Sequence, residues 1–211
     1  MPTITYRDLA MLAPAARPFN RPGWIFELKY DGFRVLAGTK DKKPYLISRR
    51  GNDLLPCYPE IGACLLELPA MVVDGELVVL DPHGRSDFET LRRRLALRRP
   101  TSVEYAAKRT PAAIFAFDLL ELRGKDVRTL PLLKRKQLLR EELRGSERIR
   151  YLDHVGESGH RLFQVAEQLG LEGIVAKHGG APYRRGRTSG WIKVKTSTGR
   201  LVDEQRARWN E

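Results

Sequence analysis

Apolar and polar residues alternate from Trp24 to Tyr30, with Trp24, Phe26 and Leu28 on one side and Glu27 and Lys29 on the other. A period of two is the signature of a strand with one buried face. Further strands are predicted over Phe33 to Gly38, Tyr45 to Ser48, Val72 to Leu80, Ile114 to Phe117, Gly173 to Lys177 and Trp191 to Lys195. Asp31-Gly32 and Asp74-Gly75 read as tight turns, the second inside the Val72 to Leu80 stretch. Helices fall between the strands. Cys57 to Leu66 is entered near Pro59, and Asp87 to Arg99 brings Phe88, Leu91 and Leu95 to one side while its arginines face outward. Pro131 opens a helix through Leu143 with Gly145 beyond its end, and Gly159 to Leu169 stops at Gly170. A Gly/Arg-rich loop, Gly179 to Gly190, joins the last two strands, and Leu201 to Trp209 is predicted to be a terminal helix packing Trp209 on the body. The pattern predicts an α+β domain of twisted antiparallel sheets.

At 211 residues the chain supports one substantial core. No apolar run is long enough for a membrane span and no basic-then-apolar leader opens the chain, so a cytoplasmic, membrane-free protein is expected. Cys57 and Cys64 have no histidine or cysteine beside them that would suggest zinc or a disulfide framework, and read as core residues. Lys and Arg total 38 against 26 Asp and Glu, a net charge of +12 that points to a polyanionic partner. Most of that excess lies in one region: Arg85 to Arg150 holds 18 basic and 9 acidic residues. Its densest part, Arg92, Arg93, Arg94, Arg98 and Arg99, suits phosphate contact with a duplex backbone; a solvated arginine-rich surface is the alternative.

Candidate chemistry gathers around lysines and carboxylates. Lys29 stands in apolar sequence beside a turn, and its strand presents Glu27 on the same face. Lys193 and Lys195 are two apart in an apolar strand, so both point the same way and call for an anion unless the strand is a solvated edge. Glu76 and Glu172 border very apolar strands, either as exposed turn residues or as ligands for a hydroxyl or a metal. An aromatic such as Phe117 is more often core than a shelf for a base.

Six segments carry a resemblance in order: Lys29-Tyr30-Asp31-Gly32-Phe33-Arg34, Ser48-Arg49-Arg50-Gly51, Asp74-Gly75-Glu76-Leu77, Phe115 to Leu120, Glu172-Gly173-Ile174-Val175-Ala176-Lys177 and Trp191-Ile192-Lys193-Val194-Lys195. Together they resemble the nucleotidyltransferase domain of ATP-dependent DNA ligases, most closely the ligase portion of bacterial end-joining ligases. The resemblance implies two twisted antiparallel sheets with ATP between them, over residues 1–196, and a charged, helix-prone tail over 197–211. It makes Lys29 the nucleophile that attacks the α-phosphorus of ATP and forms lysyl-AMP. A lysine with its reference pKa of about 10.4 is a poor nucleophile at neutral pH, and Arg34, Lys193 and Lys195 are expected to lower that value by like-charge repulsion.

Under the same resemblance Lys193 and Lys195 contact the α-phosphate, Glu76 lies near the ribose, and Glu172 lies near a catalytic Mg²⁺ or Mn²⁺. Phe117 stacks on adenine and Phe115 is core. Glu27, Arg34 and Lys177 line the nucleotide site, and Arg49 contacts nucleotide or DNA phosphate. Arg50 stands where a smaller polar residue is usual and is expected to add a DNA contact. Two roles stay open for Asp31: orienting the lysine or its metal, or shaping the turn. The expected substrate is nicked duplex DNA and the expected state a monomer. Resembled ligases continue into an OB-fold domain with a last basic motif, which residues 197–211 do not supply; slow sealing, relieved by a separate OB-fold or end-joining protein, is therefore expected. A nucleotide- and DNA-binding module with little transfer activity, and an RNA ligase or capping-type nucleotidyltransferase, are the competing readings.

Overall fold

A computed structural model describes the backbone of residues 4–208 and the side chains of residues 4–202; the expected packing of Trp209 lies outside the described residues. In chain order the elements are β1 (Ala10–Ala15), β2 (Trp24–Lys29), β3 (Phe33–Lys40), β4 (Lys43–Ser48), α1 (Pro59–Glu67), β5 (Met71–Val79), α2 (Phe88–Leu95), α3 (Pro100–Arg109) and β6 (Ala112–Leu122). They continue as β7 (Lys125–Asp126), α4 (Leu132–Glu142), β8 (Ile149–Tyr151), β9 (Val155–Gly156), α5 (Gly159–Gln168), β10 (Gly173–His178), β11 (Gly186–Lys195) and α6 (Ser197–Arg208).

The strands form two sheets. One has the order β1-β11-β10-β2-β9, the other β4-β3-β5-β6-β7 with β8 beside β6. Pairing is antiparallel except for β1 with β11 and β6 with β8. Alternation gives each sheet one outer apolar face. Trp24, Phe26, Ile174, Ala176 and Val194 pack under α5 through Ala166 and Leu162. Val35, Ala37, Val73, Leu77 and Ile114 pack under α1, α2 and α4 through Ile61, Leu65, Leu91 and Leu139. The inner faces meet over a smaller cluster of Leu36, Val72, Leu120, Tyr183 and Trp191, which leaves the polar inner positions grouped beside it.

Five features differ from the expected pattern. Asp31-Gly32 is not a hairpin turn but part of the crossover from β2 in one sheet to β3 in the other. Its glycine is required because a Cβ at Gly32 would overlap the Leu77 carbonyl of β5. Asp74-Gly75 is no turn either; β5 runs through it without a break, and a Cβ at Gly75 would press on Ile114 Cγ2 at 2.5 Å. β1 and α3 were not legible from periodicity. The terminal helix begins at Ser197, earlier than expected, and Thr196 just before it is buried, its hydroxyl donating to the Leu171 carbonyl at 2.6 Å. Cys64 is buried and Cys57 half-buried, both as free thiols. Among the described residues no helix is long and apolar enough to cross a membrane.

Candidate active site

Strand register assembles the site. Across the first sheet Lys29 of β2 lies opposite Gly173 of β10, which lies opposite Lys195 of β11; the next row is Glu27, Val175 and Lys193. Residues directly opposite share a face, so Glu27, Lys29, Lys193 and Lys195 all project from the inner face. Gly173 puts no side chain between the two lysines, and its φ of +152 with the Val194 carbonyl alongside excludes one. Glu172, the residue just before β10, fills that gap. Its carboxylate accepts from Lys29 Nζ at 2.6 Å and pairs with Lys195 Nζ at 3.0 Å. Burial raises the Glu172 pKa, but Lys29 and then Lys195 outweigh it, and the carboxyl is held below its ordinary value.

The second sheet supplies the opposite wall. Arg34 of β3, Glu76 of β5 and Phe115 of β6 form one cross-strand row. Glu76 has no ion-pair partner within 4 Å among the described residues, and its pKa is raised to about 7. Burial is the main cause; Lys29 and Arg34 oppose it, while Glu172 and Asp74 push the same way. The walls enclose a cleft of about 730 Å³ lined by Lys29, Arg34, Glu76, Glu172, Lys193 and Lys195, with Arg49, Arg50 and Arg92 at its edge. Asp31 sits half-buried in the crossover beside it.

Arg34 is tied down more firmly than its sequence context implies. Its Nε and Nη2 donate to the two oxygens of Asp74 at 2.9 and 2.6 Å, and its Nη1 to the Ala10 carbonyl at 2.6 Å. With Arg34 paired to Asp74 and Lys195 to Glu172, the expected like-charge crowding around Lys29 is largely offset by carboxylates. Deeper between the sheets Glu27 is fully buried, bridged by Lys136 at 2.5 Å and Lys177 at 2.6 Å. Burial raises its pKa, and the two lysines reverse the direction, holding it ionised. Lys177 Nζ lies 4.1 Å from the ring centres of both Phe117 and Trp191. Sequence reasoning missed Lys136: in a helix this basic a lysine reads as solvated, and only the long-range approach of Glu27 makes it internal.

Two expectations are corrected. Arg94 is not on a phosphate-facing surface; it is 2% exposed and bonds Glu60, the Cys57 carbonyl at 2.9 Å and the Thr110 carbonyl at 3.0 Å. Arg92, Arg93, Arg98 and Arg99 are exposed as expected, although Arg92 pairs with Glu89 at 2.9 Å. Phe115 is not core: it is half-buried and stacks on Tyr30, ring centres 4.3 Å apart. Phe117 occupies an irregularity in the β5–β6 register and lies behind the cleft lining rather than in it.

Residues 10–195, which contain every wall of this cleft, match the ATP dependent DNA ligase domain family. The chain belongs to the ATP-dependent DNA ligase family. It is 34% identical over 179 residues to the multifunctional non-homologous end joining protein LigD of Pseudomonas aeruginosa, covering 83% of this chain and 20% of that protein. Identity to the bifunctional non-homologous end joining protein LigD of Bacillus subtilis is 33% over 195 residues, covering 82% and 31%. The chain thus spans about a fifth to a third of these curated relatives. Among solved structures, mycobacterial DNA ligase D complexed with ATP and MES superposes with a TM-score of 0.73 at 26% identity, over 89% of this chain and 60% of that one. The ligase domain of LigD from M. tuberculosis gives 0.71 at 27% identity, over 91% and 62%. The ligase-family fold expected from the sequence is therefore the observed one.

Proposed function

We propose that this ligase-family domain forms a covalent lysyl-AMP at Lys29 from ATP and passes the AMP to the 5′-phosphate of nicked duplex DNA. The convergence of Lys29, Lys195 and Glu172 around the side-chain-free Gly173 carries the reading. Lys29 Nζ leaves its pair with Glu172, gives up its proton to water in the open cleft and attacks the α-phosphorus; the bond to the bridging oxygen breaks and pyrophosphate departs. Lys193 and Lys195, fixed on one strand face, hold the charge that builds on the transferring phosphoryl, the preorganised stabilisation such transfers need. Glu76 takes the ribose, Arg49 a phosphate, and Arg34 shapes the wall through its hold on Asp74. The adenine enters toward Glu27 and Phe117, where Lys177 Nζ lies 4.1 Å and the Arg34 guanidinium 5.5 Å from the ring centre.

Among the described residues no three His, Cys, Asp or Glu groups cluster as a metal cage. Mg²⁺ travelling with ATP needs only one or two carboxylates, and Glu172, which lines the cleft beside Lys29 and Lys195, fits that demand. When bound it would supply charge neutralisation at the phosphates. Incubation with Mg²⁺ and ATP, followed by intact-mass measurement, should add one AMP to the wild type and none to Lys29→Ala; equal labelling of the variant overturns the assignment.

A further inference from the structure

The loop between β10 and β11 belongs to no part of the chemistry above, yet it is strongly basic. Arg184, Arg185 and Arg187 are exposed, no acidic residue occurs from Gly179 to Gly190, and among the described residues none of the three arginines has an ion-pair partner within 4 Å. The arginines of α2 are differently placed, since Arg92 is paired with Glu89 and Arg94 is internal.

The root of the loop is held rigidly. Tyr183 is buried, donates its hydroxyl to Asp74 Oδ2 at 2.7 Å, accepts from the Ala10 amide at 3.0 Å, and bonds the Arg128 carbonyl through its own amide at 2.8 Å. Gly186 donates to the Leu9 carbonyl at 3.2 Å, and Arg187 lies opposite Met11 in the β1–β11 pairing. The basic surface is also continuous with the cleft. β11 runs from Arg187 to Lys193, and Leu12, opposite Thr188, lines the cleft with Arg49 and Arg50.

We propose that Arg184, Arg185 and Arg187 form a second phosphate-contacting surface that carries one arm of the duplex away from the cleft along β11. The inference rests on nicked DNA being the substrate. Because β11 bulges after Thr188, the β1 partners of Arg187 and Lys193 are Met11 and Pro14, only three residues apart, a span of about 10 Å or roughly three phosphates of one DNA strand. The loop would therefore meet the backbone about three base pairs from the reacting end, on one side only. Exposed arginines without carboxylate partners suit this task, because each neutralised phosphate releases counterions and adds sequence-independent affinity.

The test measures binding of a nicked duplex with long arms as a function of salt, for the wild type and for the triple variant Arg184→Gln, Arg185→Gln, Arg187→Gln. The log–log slope should fall by about two to three in the variant, at roughly 0.9 for each lost phosphate contact. The corresponding triple lysine variant should keep the slope, and trimming the correct arm below about three base pairs should erase the difference between wild type and variant. Self-adenylation should stay at the wild-type level in both variants, since the loop lies outside the nucleotide cleft. A duplex-binding wild type with an unchanged slope in the glutamine variant overturns this inference alone. A wild type that neither takes AMP nor binds the duplex overturns the functional reading, and this one with it.

Discussion

Glu76→Gln is expected to stabilise the folded protein above neutral pH while damaging its chemistry. In the folded cleft the Glu76 pKa rises from 4.5 to about 7, chiefly through burial and secondarily through Glu172 and Asp74, with Lys29 and Arg34 working against the rise. The folded state therefore binds more protons than the unfolded state between those two values, and stability falls as pH climbs through that window. Below about pH 4.5 the acid is neutral in both states and costs nothing. Above about pH 7 it is ionised in both, and the folded state bears the whole penalty. Each tenfold change in acidity is worth about 1.4 kcal/mol, which gives an upper figure of about 3 kcal/mol; because the cleft is open to water, about 1–3 kcal/mol is the working range. Glutamine keeps the shape and removes the charge. Urea denaturation at pH 5, 6, 7 and 8 should show the variant's advantage growing from a few tenths to that range, with self-adenylation reduced at every pH. A constant or absent advantage across the series would show that Glu76 is not held ionised at a cost, and the case for it as a waiting ligand would fail.

Four other outcomes follow from particular contacts. Arg94→Ala should cost about 3–5 kcal/mol in unfolding free energy by stranding Glu60, while the salt slope of DNA binding stays at the wild-type value. Neutralising Arg92, Arg93, Arg98 and Arg99 together should lower that slope, and an unchanged slope would make them mere solvating groups. Phe117→Ala should weaken ATP binding by about 1–3 kcal/mol, read by titration calorimetry, whereas Phe115→Ala should act mainly on thermal stability through its stack on Tyr30. Gly32→Ala should cost about 1–3 kcal/mol by overpacking against β5 and should slow AMP transfer to Lys29 by displacing the end of β2.

The strands that carry the chemistry were legible because each has one buried face, and alternation alone places Glu27 with Lys29 and Lys193 with Lys195. β1 was hidden by its composition: Ala10–Ala15 includes Pro14, which has no amide hydrogen to offer, and the strand survives as a sheet edge paired with β11 alone. α3 buries only Val103, so no apolar repeat announced it. The two Asp-Gly pairs misled for one reason. Their glycines answer a neighbouring strand that approaches too closely for a side chain, Leu77 at one and Ile114 at the other, and that demand comes from tertiary packing. The buried cations Arg94, Arg135 and Lys136 could not be told from surface charge, because their partners Glu60, Asp118 and Glu27 lie 17 to 109 residues away.

Lys29 is the last residue of β2, and the chain enters the second sheet at Phe33. Lys29, the proposed nucleophile, therefore stands where the chain passes from one sheet to the other, near the bond that Arg34 makes across to the Ala10 carbonyl and the one that Lys136 makes to Glu27. A residue at such a crossing answers to both sheets: backbone pairing with Gly173 sets its place on one side, and the tight contact of Gly32 with Leu77 of β5 sets it on the other.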